Sequence, residues 1–142
     1  MSLSAPDSPW TLGLRAEDLC LRRMEAIEKR ADPADGPLRR LIHDLEDEES
    51  AERKQVSSHE SPADLCAPAS LESEFPSLRD RLGEGPLSRD NALYYLEALK
   101  QDAFRFFQKL ARTTSDEAAR AYFTRLALDA MGQVVRLREM IL

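Results

Sequence analysis

Four stretches of this chain repeat apolar residues at steps of three and four, and each is bounded by proline, glycine or a capping residue. That is the period of an α-helix with one buried face, and it constrains the chain more than any other feature. In the first stretch Leu14, Glu17, Leu21, Met24 and Ile27 share a stripe, which predicts a helix from about Arg15 to Arg30. It stops at "ADPADGP", where Pro33, Gly36 and Pro37 punctuate the chain. The second begins near Asp35, a suitable N-cap with Pro37 in the first turn. It carries Leu38, Leu41, Ile42 and Leu45 inward and continues to about Val56. The third follows Ser88 or Asp90 and runs to about Arg112, with Leu93, Leu96, Lys100, Ala103, Phe107 and Leu110 on its stripe. The fourth is expected to start with Ser115 as N-cap, with Asp116 and Glu117 at the positive end of the helix dipole. Its stripe is Ala119, Tyr122, Phe123, Leu126, Ala130, Gln133, Leu137 and Met140.

Between the second and third helices, residues 57–87 carry four prolines and six serines with little periodicity. A connection of that length fits a crossover running along a bundle, with a short helical turn around Ser77 to Leu82. Residues 1–13 read as an N-terminal arm, in which Trp10 is a plug for the bundle end or for a partner chain. A chain of 142 residues with 42% hydrophobic content is one domain with a sizeable core. Few β-branched residues and only five glycines speak against a sheet. The architecture expected is therefore all-α: a four-helix bundle of two antiparallel hairpins joined by the crossover. Setting Asp35 over Asp116 also places Leu41 and Ile42 over Tyr122 and Phe123, and Leu45 over Leu126. The two hairpins thus share a pattern.

Charge narrows the partners. The net charge of −6 argues against nucleic acid or an anionic membrane, both of which need a basic face. No apolar run approaches the roughly 18 residues of a membrane span. The start "MSLSAPDSPWTLG" has neither a basic nor an apolar segment of a signal peptide, so a cytoplasmic protein is expected. Cys20 and Cys66 stand apart from each other and from both histidines, which removes zinc-ribbon, rubredoxin-type and thioredoxin-type motifs. No Ser-His-Asp, Cys-His or Gly-rich phosphate loop opens another enzyme class.

The most polar segment is "DLEDEESAE", residues 44–52, with six acids in nine positions. Glu46, Asp47 and Glu48 read as a solvated face, whereas the stripe through Leu38, Leu41 and Leu45 carries Glu49 and Glu52 inward. Glu17 falls on the core stripe of the first helix. Oxygen ligands from facing helices are how bundles build di-iron or di-manganese sites.

The segment "DAFRFFQKLARTTSDEAARAYFTRLALDAMGQVVRL" resembles the second hairpin of the rubrerythrin-like branch of the ferritin-like superfamily, where an aromatic pair and "KLA" precede a turn and a helix bearing a Glu-x-x-His pair. The likeness covers residues 90–138 well and 14–56 weakly. It implies a ferritin-like four-helix bundle with the ligand positions mostly lost. Ala130 and Gln133 stand where the family has Glu and His, and Lys100 stands where the third helix has Glu, seven residues before Phe107. On the second helix Glu49 is kept and the His position is Glu52. The first-helix Glu falls near Leu14 or Glu17. Neither His43 nor His59 lies at a ligand position, and the rubredoxin-like tail is missing.

The expected function is accordingly a degenerate bundle with no working di-iron centre and no cofactor, acting structurally or as an interaction partner. The alternative is a protein that binds iron or manganese through Glu17, Glu49 and Glu52, with ligands from a second subunit, for iron oxidation, storage or peroxide detoxification. For Lys100 two readings stay open. It pairs with Glu49 or Glu17, with Gln133 bonding to the same cluster, or it snorkels to water along its stem. A third enzyme reading, Lys100 as a nucleophile, has only burial behind it. Tyr95, Phe106, Leu128 and Val135 fall off the main stripes and are expected to cover the crossover or to form a homodimer interface.

Overall fold

The computed structural model describes residues 8–59, 74–75 and 85–141. Within them lie four helices: α1 (Pro9–Arg30), α2 (Gly36–Ser57), α3 (Arg89–Thr113) and α4 (Glu117–Ile141). Their starts follow from local chemistry. Ser8 Oγ accepts the Thr11 N–H at 3.1 Å, and Pro9 needs no hydrogen-bond acceptor in a first turn. Helix α1 therefore begins earlier than its apolar period announces, and residues 9–13 of the expected arm are helical. Asp35 caps α2 through the Leu38 N–H, and Ser88 caps α3 through the Asn91 N–H, each at 3.1 Å.

The cap of α4 is a correction. Asp116, not Ser115, accepts the Ala118 and Ala119 amides at 3.0 and 3.2 Å, while its carbonyl takes the Arg120 N–H. Two adjacent polar residues both satisfy the sequence pattern, and the carboxylate, with its charge at the positive helix end, takes the position.

The ends of the helices fix the topology. Leu87 N–H donates to the Arg30 carbonyl at 2.7 Å, and Arg89 Nη1 lies 2.8 Å from both Asp35 oxygens. The end of α1 and the starts of α2 and α3 thus meet at one end. At the other, Trp10 of α1 lies against Tyr122 and Phe123 of α4, and the Tyr122 hydroxyl bonds to Gln55 of α2. Each hairpin is antiparallel, α2 and α3 run the same way, and the connection must return along the whole bundle. This is an all-α four-helix bundle with a single long crossover, a connection also used by ferritin-like folds.

The stripes face inward as their periods require. Leu14, Met24, Ile27, Leu38, Ile42, Leu45, Leu93, Leu96, Phe107, Phe123, Leu126 and Leu137 are all buried. At the Trp10 end the packing is aromatic. Trp10 stacks on His59 with centroids 4.0 Å apart, and Phe123 stacks on Phe107 at 5.8 Å. Gly13 makes this possible: a Cβ there would lie 2.5 Å from two carbons of the Phe123 ring. Trp10 covers the bundle end of its own chain.

The off-stripe residues divide. Phe106 is buried against Phe75 of the crossover at 5.6 Å, and Arg23 donates to the Phe75 carbonyl. Tyr95 is partly buried, whereas Tyr94, Leu128 and Val135 are exposed. The expected turn at Ser77–Leu82, and Cys66, lie outside the described residues. No helix among the described residues is long and apolar enough to cross a membrane.

Candidate functional site

Halfway along the bundle the apolar core is interrupted by charge. Glu17 of α1, Glu49 of α2 and Lys100 of α3 are each at most 2% exposed, and Glu52, one turn beyond Glu49, is partly buried beside them. Lys100 Nζ donates to Glu49 Oε1 at 2.6 Å. The ammonium does not snorkel; it ends in a charge-assisted hydrogen bond inside the core. One carboxylate oxygen from each of Glu17, Glu49 and Glu52 lies within 4.8 Å of the others.

Three carboxylates and one ammonium cannot all be charged in a dry interior. Burial pushes the Glu17 carboxyl well above its ordinary range, and the facing Glu49 charge adds to this. Burial, then Glu49, pushes Glu52 up to about 8. As carboxylates, both Glu17 oxygens and Glu49 Oε2 lack any donor. A proton retained on Glu17 supplies one, hydrogen-bonding toward Glu49. Burial works to lower the Lys100 pKa, yet the neighbouring acidic groups, Glu49 foremost, together outweigh it and hold the ammonium above its usual value. The raised pKa of Glu17 and of Glu52 favours one ion pair, Lys100–Glu49, flanked by two carboxyls that hold their protons more tightly than usual. Cys20 borders this cluster; burial, then the Glu49 charge, push its thiol well up, which leaves it an inert packing group. Partial burial of its own, with the Glu17 and Glu52 charges behind it, lifts Tyr122 to about 12.

The cluster opens on one side. A groove of about 520 Å³ between α2 and α4 is lined by Ala51, Glu52, Gln55, Asp129, Gly132 and Gln133, among others. Gly132 faces open space here: a Cβ added to it would meet nothing within 4 Å.

The sequence-predicted residues fall in two sets. Glu17, Glu49, Glu52 and Lys100 come together, while Ala130 is buried apolar surface and offers no ligand. Gln133 is buried but turned away. Its Nε2 donates to Glu48 Oε1 at 2.7 Å, beside Arg136 at 3.0 Å from the other oxygen, so it does not bond to the Lys100 cluster as expected. Glu48 and Glu46 are also not freely solvated. Glu48 is held below its ordinary pKa because the Gln133 and Arg136 bonds outweigh its partial burial. Sequence reasoning missed a second grouping, Glu28 with His43 and Glu46, because nothing in the α2 pattern says which residue of α1 it will face.

A two-metal centre does not fit these residues. Such a site takes about six protein ligands from four helices, whereas an ammonium already lies against Glu49 and the α4 positions hold Ala130 and an amide engaged elsewhere. Comparison with known proteins returns no match: no protein family, no curated protein and no solved structure matches this chain.

Proposed function

We propose that this chain is a non-catalytic, degenerate ferritin-like bundle of the rubrerythrin-like kind, in which Lys100 stands in for a metal and the bundle serves as a structural or interaction module. The observation that carries the reading is the buried Lys100–Glu49 bond of 2.6 Å. A buried carboxylate that stays ionised needs a compensating partner, and for Glu49 the chain supplies its own ammonium. The exposed Leu128 and Val135, two turns apart on α4, support a homodimer or a protein partner as the form in which it acts. A buried free thiol at Cys20 suits the reducing cytoplasm.

A second reading keeps a single iron or manganese ion on Glu17, Glu49 and Glu52. What favours it is the set of buried oxygens on Glu17 and Glu49 that have no donor when ionised. The two readings separate on metal content. After anaerobic Fe²⁺ or Mn²⁺ loading and desalting, the first expects no retained metal in the wild type. Stoichiometric metal that disappears in Glu49→Gln would overturn it in favour of the second.

A further inference from the structure

The grouping outside the bundle centre differs in kind from the one inside. Glu28 sits in the last turns of α1, and His43 and Glu46 lie three residues apart on one face of α2. His43 Nε2 is 2.9 Å from Glu28 Oε2, and His43 Nδ1 is 3.7 Å from Glu46 Oε1. One donor atom from each of the three residues falls within 4.8 Å of the others. The two carboxylates are mostly buried, with side chains 17% and 15% exposed, and Glu46 Oε2 is fully buried with no hydrogen-bond partner. The imidazole is 58% exposed, so the trio has a packed floor and an open mouth.

Two carboxylates drawn together from different helices, one of them with an unsatisfied buried oxygen, call for a cation. Arg39 Nη2 lies 3.7 Å from Glu28 Oε2, the oxygen that His43 also faces, so its charge serves Glu28 and leaves the buried Glu46 Oε2 without a partner. An imidazole nitrogen added to two carboxylate oxygens selects against magnesium and calcium, which take oxygen alone, and toward a borderline ion. Around a tetrahedral Zn²⁺ with bonds of about 2.0–2.2 Å, donors stand roughly 3.3–3.6 Å apart. The two His43 contacts use different nitrogens of the imidazole, and only one of them can bind a given ion. With one donor atom taken from each residue the three lie within 4.8 Å of one another, close enough for side-chain rotation to reach that spacing.

We propose that Glu28, His43 and Glu46 form a zinc-class divalent-cation site that clasps α1 to α2, with three protein ligands and water in the remaining position. It is separate from the bundle centre, lying about 16 Å along α1 from Glu17 at 1.5 Å per residue. It neither requires nor excludes the Lys100 reading.

The test uses the untagged full chain and Co²⁺ as the probe, followed by competition with Zn²⁺. One Co²⁺ per chain should give a visible ligand-field band that Zn²⁺ bleaches. The metal should also raise the melting temperature, since it binds the folded state alone. His43→Ala and Glu46→Gln should each weaken binding by about tenfold or more, as loss of a ligand costs at least what loss of its supporting hydrogen bond does. Glu52→Gln should leave it unchanged. His43 is exposed, so His43→Ala is expected to fold, and its circular dichroism and unmetallated melting curve check this directly. Absence of saturable binding, or binding that survives His43→Ala, overturns the proposal. Binding lost in Glu52→Gln but kept in His43→Ala also overturns it and assigns the ion to the interior carboxylates.

Discussion

The two hairpins bring opposite charge to the centre of the bundle. The α1–α2 half contributes carboxylates, Glu17, Glu49 and Glu52, whereas the α3–α4 half contributes the ammonium of Lys100. In the register that lays Asp35 over Asp116, Glu49 lies over Ala130 and Glu52 over Gln133. Equivalent places on paired helices are thus acidic in one hairpin and neutral in the other. Glu49 and Lys100 find their partners only across the two halves. Docking of the hairpins completes the ion pair, and proton retention on Glu17 and Glu52 covers the remaining negative charge.

The sharpest way to break this complementarity is Lys100→Met. It fills the volume but leaves Glu49 uncompensated, and loss of one partner from a buried pair costs about 3–5 kcal/mol. Urea denaturation should show that loss, and combining it with Glu49→Leu should recover most of it. A cost below about 1 kcal/mol, the worth of an exposed pair, would mean that water reaches Glu49.

The second test is pH. Glu52 has its folded pKa raised from 4.5 to about 8. Between those values the native chain binds more protons than the unfolded one, so stability falls as pH rises through this window and is greatest at its acid end. Melting temperature should decline from pH 5 to pH 8, with a total effect of a few kcal/mol, and Glu52→Gln should flatten the slope. A flat wild-type profile would show that the carboxyl is ionised throughout.

The smallest effect concerns the aromatic seam between α1 and α4. Gly13→Ala puts a methyl into the Phe123 ring, which is held by Phe107, Trp10 and Tyr122 and has little room to yield. Overpacking of this kind costs about 1–3 kcal/mol. The polar centre should be untouched, so the pH slope should persist in this variant.

Much of this was legible in the sequence, and the part that was not has a physical cause. Periodicity identifies the face of a helix, so the inward placement of Glu17, Glu49 and Gln133 follows from spacing, whereas spacing left open whether Lys100 stays buried or reaches water along its stem. It does not identify the neighbour. Gln133 was readable as buried, but its bond to Glu48 depends on how α4 is rotated against α2. His43 looks like a solvated residue until α1 places Glu28 beside it. Helix starts are set by single side chains, which is why Ser8 displaced the α1 start inferred from apolar spacing and Asp116 displaced Ser115 as the cap of α4. The crossover residue Phe75 covers Phe106 without any local pattern that ties the two together.

The Lys100–Glu49 bond has a further consequence, for the accuracy of assembly rather than for its strength. Apolar stripes tolerate sliding, since one leucine replaces another a turn later. A slip of α3 by one turn along α2 would move Nζ about 5.4 Å and strand an ammonium and a carboxylate in a dry interior. Misaligned hairpins would therefore lose their mutual attraction instead of settling into a near-native trap. The buried ion pair, together with Arg89–Asp35 at the bundle end, opposes alignments that the hydrophobic surfaces alone would accept.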